Sequence, residues 1–422
     1  MFHTAPIAHN KNPAHASQAA VIMSLHESVV VVYNTHMAQQ GFLIISDITG
    51  YSKYVHESEL EHARDSLTDL LNILIDHTQS PLVLSKLEGD AVFSYAPLGG
   101  FLQGQTLVDM IESTYAAFRK ALELMVINTT CTCNACRNLP NLDLKFFVHY
   151  GSFMTQNLGK YTELVGNDVN LVHRLAKNRI KAETGFKAYA AFTQAVIDAL
   201  ELAEFGKSII PYRETFADVG EVQLYVHDLH GVWEKLKNLV RIEVTPANAL
   251  LILEHEFPLP PMLMWEYLTK PEYRNILSDS DTQELRNLSK GRAGVDSVYY
   301  CAHGKRVSPQ RIVDWQPFEQ HTINGIYLPG TTGNTTFRVE PTKGGTRLLT
   351  LFGKAQGNWF VCMIINIVAK SFFAQMYDKY AQRLLQQIQQ DLADGTAIVS
   401  PPITIDKDQI DSLATQTLTP DN

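Results

Sequence analysis

The sequence has no apolar run of the roughly 18–20 residues that a bilayer-spanning helix needs. Its longest candidates, Ser28–Tyr33 and Gly357–Ala369, are short or broken by polar residues. The N-terminal stretch, with several histidines and one lysine, holds no compact apolar segment followed by a cleavage site, so no signal peptide is expected. Cysteine is scarce: there are 5 in 422 residues, three of them crowded into Cys131–Cys136. That is no disulfide framework, and it predicts a reduced, cytoplasmic protein. Positive charge is also in deficit, 35 Lys+Arg against 44 Asp+Glu for a net −9, which argues against a general nucleic-acid or anionic-membrane surface. Only a local basic pocket would hold phosphates.

An apolar fraction of 45% with 19% charged residues belongs to a soluble globular chain, and the length predicts two or three domains. Residues 1–40 are weakly patterned up to the VVVVY run and read as a mobile arm or an added strand; Met23 and Met37 are alternative starts. From residue 41 an apolar strand runs to Ile48, Gly50 and Ser52 break it, and Glu57–His77 carries apolar residues at helical spacing. Leu82–Leu87 and Ala91–Tyr95 read as strands joined by a Glu88-Gly89-Asp90 turn. A helix over Leu107–Val126, a strand over Leu142–Tyr150 and a helix from Gly166 to Lys177 follow. Ala188–Leu202 reads as a helix flanked by short strands, and Tyr212–Phe216 with Val222–Asp228 as a strand pair. This βααββαβ-like order predicts an α+β sandwich over residues 41–230. A linker is expected over 231–248, then a second unit over 249–392 with strands at Ala249–Phe257, Ser297–His303, Arg311–Trp315, Thr335–Val339 and Arg347–Phe352. One long helix, Trp359–Leu392, closes it as a helix-grip would, and a polar, disordered tail is expected over 393–422.

Two carboxylates stand out. Asp47 ends an apolar strand and Asp90 sits in a turn between two others, so a shared sheet rim would suit Mg²⁺, which takes one or two protein carboxylates and completes its shell with phosphates. Each is equally an ordinary turn residue. Asn170 and Arg174 fall at i, i+4 on one helix face, where arginine suits charge on a transferred phosphorus and asparagine a ribose hydroxyl; a solvated face has the same pattern. Cys131-x-Cys133-x-x-Cys136 offers three soft ligands for a structural Zn²⁺ that wants four, with His149 or a partner-chain residue as the fourth; otherwise these are free or redox-active thiols on a loop.

DITGYSKYV, KLEGDAVF and ELVGNDVNLVHRL, in that order and at these separations, resemble the class III adenylate/guanylate cyclase catalytic domain, in a bacterial branch where it precedes a helix-grip domain. The resemblance spans about residues 40–230 and implies a ferredoxin-like α/β sandwich in which Asp47 and Asp90 bind two Mg²⁺ or Mn²⁺ ions. It implies that Lys86 reads the purine, and that Asn170 and Arg174 act from the partner subunit of a head-to-tail homodimer. Base choice follows from hydrogen bonding: Lys86 only donates and Glu163 only accepts, which complements adenine and mismatches guanine, so ATP is expected. Glu163 is longer than the family's usual residue there, and the segment Ala217-Asp218-Val219-Gly220-Glu221 lacks the family's basic residue for the triphosphate, leaving Arg213 or Lys160 to replace it.

The second unit's GRAGVDSVYYCAHGK and RIVDWQPFEQHT resemble the START-like/polyketide-cyclase family. That implies an apolar-ligand cavity lined by Trp265, Tyr299, Trp315, Phe337, Phe352, Phe372 and Met376, with His303 and Asp314 as its polar groups, unless these aromatics simply fill the core. The expected activity is conversion of ATP to 3′,5′-cyclic AMP and pyrophosphate. The alternatives are a degenerate cyclase that binds nucleotide without turnover and a carrier of apolar ligands.

Overall fold

The computed structural model describes residues 21–25, 28–32, 38–78, 82–97, 104–158 and 161–395. The expected disordered tail beyond residue 395, most of the N-terminal arm, Lys160 and the side chain of Phe372 lie outside the described residues. The arm contributes a hairpin, β1 (Val21–Leu25) and β2 (Ser28–Val32), so the four valines of its VVVVY run are in a strand.

The first unit follows as β3 (Gln39–Thr49), α1 (Tyr51–Glu57), α2 (Leu60–Thr78), β4 (Val83–Glu88), β5 (Ala91–Pro97), α3 (Gly104–Asn128), α4 (Asn134–Asn138) and β6 (Asp143–Leu158). It continues through β7 (Tyr161–Val165), α5 (Asn167–Leu175), α6 (Ile180–Thr184), β8 (Tyr189–Thr193), α7 (Gln194–Ala199), α8 (Ala203–Lys207), β9 (Ile210–Phe216), β10 (Gly220–Asp228) and α9 (Leu229–Lys237). The sheet order is β4-β5-β3-β6-β8-β10-β9, with β7 added to β6. All pairs are antiparallel except β6 with β8. Alternation along the strands divides the core. Phe42, Ile44, Ile48, Phe146 and Val148 face a cluster with α2 and α3, where Leu70, Leu74, Ile111, Tyr115 and Phe118 are buried. Leu43, Ile45, Phe93 and Phe147 face the other way, onto Val169, Val172 and Leu175 of α5. Each such side chain contributes about 1.5–3 kcal/mol when fully buried.

In the first unit a strand stands where the sequence suggests a helix. Tyr189–Thr193, placed in a helix by its apolar run, is the strand β8, with every residue buried. A short apolar run has no period to separate a buried strand from a buried helix. The helix expected there shrinks to α7.

The second unit consists of β11 (Leu251–Phe257), α10 (Pro261–Thr269), α11 (Pro271–Ser278), β12 (Thr282–Arg286), β13 (Val298–His303), β14 (Arg306–Gln316), β15 (Gln320–Ile326), β16 (Thr331–Thr342), β17 (Gly345–Phe352), β18 (Gln356–Gly357) and α12 (Trp359–Ala393). The strands form an antiparallel sheet in the order β11-β17-β16-β15-β14-β13-β12, with β18 on β16. Tyr380, Leu384 and Ile388 of α12 join the cluster of Trp265, Tyr299, Ile312 and Phe337. The aromatics expected around a cavity pack on one another: Trp265 on Trp315 at 4.9 Å, and Phe352 stacked on Phe373 at 5.4 Å. His303 lies at an exposed strand end with its Nδ1 3.1 Å from the Asp279 carbonyl, and buried Asp314 accepts from Arg241 at 3.4 Å. Residues 231–248 carry most of α9 and then a segment strapped to the second sheet, where the Val244 amide donates to Thr336 Oγ1 at 2.8 Å.

The two units meet through a buried charge cluster. Arg292, in the loop between β12 and β13, donates to Asp109 and to Glu112 of α3, the latter at 2.8 Å, and His227 of β10 lies 2.8 Å from the same Glu112. Burial pushes the Asp109 carboxyl up to about 6, while Arg292 and His227 outweigh burial at Glu112 and hold it well below the usual range.

Candidate functional site

The site face of the first sheet is built by register. Glu88, Ala91, Asp47, Lys145 and Tyr189 form one lateral row across β4, β5, β3, β6 and β8. Asp47 points to the same side as Leu43 and Ile45, away from α2 and α3. Asp90 enters from the turn between β4 and β5, whose Gly89 has φ +65°, a left-handed conformation that glycine adopts without strain. The Ile48 amide donates to the Asp90 carbonyl at 3.1 Å, which fixes that turn beside the end of β3. The two carboxylates, 43 residues apart in sequence, thereby sit on one rim.

Their electrostatics are those of a site short of positive charge. Burial, and then the neighbouring charge of Asp47, push Asp90 up to about 6. Burial also raises Asp47, opposed by Lys145. Lys145, itself pushed down by burial, stands above the Tyr189 ring at 5.4 Å. The sequence reading does not include Lys145; its signal is the one lysine within the alternating strand LDLKFFVHY, in register with Asp47.

The next row holds Lys86, opposite Phe93. Lys86 Nζ donates to Glu163 Oε2 at 3.2 Å and to Glu88 Oε1 at 3.0 Å. Burial opposes the charge on Lys86, but its bonds with Glu88 and Glu163 raise its pKa on balance. Glu163 comes from β7, which is hydrogen-bonded to β6. Lys86 and Glu163, paired in the sequence reading through the cyclase resemblance and their complementary hydrogen bonding, are in direct contact across 77 residues. His173 of α5 lies 3.1 Å from the other oxygen of Glu88.

α5 begins after Gly166, where φ is +153° and a Cβ would meet the Ser152 carbonyl oxygen at 2.9 Å. Asp168 in its first turn accepts from the Ser152 amide at 2.6 Å and lies 3.2 Å from His149 Nε2, locking α5 to β6. Asn170 is exposed on the outer side of this helix. Arg174 does not reach the carboxylate rim in this chain: its Nη1 donates to Asp218 Oδ2 at 2.6 Å, in the loop that lacks a basic residue. Arg213 is engaged by Gln223 and Glu221 at 3.1 and 3.4 Å.

The cysteine cluster lies away from this face. His149, suggested as its fourth member, is buried in the sheet between Thr193 Oγ1 at 3.0 Å and Asp168 at 3.2 Å. The histidine that meets the cysteines is His62, at the start of α2. Among the described residues, no helix is long and apolar enough to cross a membrane.

A family model described as "Protein of unknown function (DUF2652)" matches residues 67–184. Solved structures similar to this chain include the guanylyl cyclase Cya2, at 15% identity over 45% of this chain and 92% of that one with a TM-score of 0.33. The adenylyl cyclase CyaB from P. aeruginosa is 16% identical over 46% of this chain and 95% of that one, with a TM-score of 0.32. A bacterial light-regulated adenylyl cyclase is 15% identical over 48% and 98%, with a TM-score of 0.34. The "Uncharacterized protein Rv2561/Rv2562" of Mycobacterium tuberculosis is 31% identical over 163 residues, 39% of this chain and 73% of that protein. The chain belongs to the same family as this mycobacterial protein.

Proposed function

We propose that the chain is a nucleotide cyclase that converts ATP to 3′,5′-cyclic AMP and pyrophosphate. The observation that carries this reading is the meeting of Asp47 and Asp90 on one rim, two residues along the sheet from the Lys86–Glu163 pair. Two half-buried carboxylates, both raised by burial and Asp90 also by the charge of Asp47, fit a divalent cation, which would relieve both at once. Asp47 and Asp90 would hold Mg²⁺ or Mn²⁺, which when bound lowers the pKa of the attacking 3′-hydroxyl and neutralises phosphate charge. The remaining work falls to the chain's own groups. Lys86 donates to adenine N1 while Glu163 accepts from the 6-amino group; guanine at the same place sets its N1 donor against Lys86 and its O6 acceptor against Glu163. Asn170 and Arg174 of the partner subunit, in a head-to-tail homodimer, would orient the ribose and stabilise charge on the α-phosphorus. Arg174 must then exchange Asp218 for the substrate.

The test is turnover of the four ribonucleoside triphosphates by the full chain with Mn²⁺ or Mg²⁺, products identified by mass spectrometry. Cyclic AMP from wild type and none from Asp47→Ala is the expected result. No cyclic nucleotide from either overturns the reading. A second reading, a degenerate domain that binds nucleotide without turnover, is favoured by the Arg174–Asp218 pair at 2.6 Å. Calorimetry showing tight ATP binding with no product selects it.

A further inference from the structure

The group that the proposed chemistry leaves unused is the cluster of His62, Cys131, Cys133 and Cys136. Their ligand atoms all lie within 4.8 Å of one another. His62 Nδ1 is 3.3 Å from Cys133 Sγ and 3.6 Å from Cys131 Sγ. A tetrahedral zinc with Zn–S near 2.3 Å and Zn–N near 2.0–2.1 Å sets its sulfur and nitrogen vertices about 3.5 Å apart. The two measured edges bracket that value. We propose that these four side chains bind one Zn²⁺ in a closed Cys₃His site with a structural role.

The backbone around the cluster is arranged for it. Cys133 caps the N-terminus of α4, and its sulfur accepts from the Cys136 amide at 3.4 Å, the amide-to-sulfur turn that places both sulfurs of a Cys-x-x-Cys on one side. Thr129 Oγ1 donates to Cys136 Sγ at 3.5 Å. Glu59, three residues before His62, accepts from the Ala135 amide at 3.0 Å and holds the cysteine loop against the start of α2. Thiolate and imidazole together are the donor set of zinc rather than of the hard ions suited to Asp47 and Asp90. Four protein ligands leave no open position, which marks a structural rather than a catalytic metal.

The consequence is a staple. His62 is in the first turn of α2, and the cysteines lie between α3 and β6, so the ion cross-links segments about 70 residues apart. It also steadies α1, which packs against α4 and leads back to the end of β3 at Asp47. The inference stands whether or not the chain turns over ATP.

The experiment uses the full chain, reduced and stripped with a strong chelator, then titrated with Zn²⁺ while thermal unfolding is followed. About one zinc bound per chain, a raised Tm and release of protons from the thiols are the expected results. Co²⁺ in place of Zn²⁺ should give the visible spectrum of tetrahedral cobalt with sulfur charge-transfer bands. Cys133→Ser and His62→Ala should each weaken binding at least tenfold, and His62→Cys should keep the metal, which separates ligation from a folding defect. A chain that binds no zinc, or that forms a disulfide within the cluster and gains the same stability without metal, overturns the proposal. So does zinc binding unchanged by His62→Ala.

Discussion

Replacing Arg292 with alanine would leave two carboxylates facing each other at the join of the two units. Asp109 is 2% exposed, Glu112 17% and Arg292 16%, so water does little to screen the loss. Removing one partner of a buried pair costs about 3–5 kcal/mol, because the remaining charge is stranded. For a unit near 200 residues, 1 kcal/mol shifts Tm by roughly 2–4 °C, so a drop of about 6–20 °C is expected. Urea unfolding followed by tryptophan fluorescence reads both units, since Trp233 lies in α9 of the first, bonded to Glu123 at 3.2 Å, while Trp265 and Trp315 lie in the second core. The variant should unfold in two separated steps where the parent unfolds with its units coupled. Adding Asp109→Asn and Glu112→Gln to Arg292→Met should recover most of the loss, because no charge is then left unpaired. A loss below about 1 kcal/mol for Arg292→Ala would refute the reasoning, since it would place the cluster in water.

Two further outcomes follow from other buried groups. Burial pushes Glu266 up to about 7 despite Lys270 at 2.8 Å, from an ordinary value of 4.5. Its contribution is complete below pH 4.5 and is lost as pH rises through 7, about 3 kcal/mol in all, so Glu266→Gln should flatten the urea-midpoint profile over that window. His321 is fully buried with neither ring nitrogen hydrogen-bonded, stacked on Phe337 at 5.1 Å. His321→Phe keeps the stack and removes the unsatisfied nitrogens, so it should raise stability by about 1–3 kcal/mol in the same assay.

The candidate residues were singled out by the order and spacing of three cyclase-like motifs, since each position alone is also an ordinary turn or helix face. Asp47 closes an apolar strand, Gly89-Asp90 is a turn, and Asn170 and Arg174 follow a helix start. The hidden parts share one property: their partners are remote in sequence. His62 lies 69 residues from Cys131, and Arg292 180 from Glu112, so neither pairing leaves a spacing to read. Lys145 has no motif, only a register. Among the strands that the sequence does not announce, two are hidden for a different reason. β12 is a polar edge strand, and β15 buries Gln320, His321 and Thr322, so neither shows the apolar alternation that marks a strand.

β6 is the longest strand of the first sheet. It pairs Phe147 in the same lateral row as Lys86, yet Glu163 hangs opposite Gln156, nine residues further on. An unbent strand would carry that point about 30 Å from the Lys86 row, whereas the two side chains touch at 3.2 Å. The far end of β6 must therefore curl back over the sheet with β7, like a folded ruler whose last mark falls on Lys86. Side chains alternate along that ruler, so inserting or deleting one residue between Ser152 and Glu163 would turn Glu163 to the opposite face. The length of this arm, rather than any residue on the rim, then decides which side chain meets Lys86.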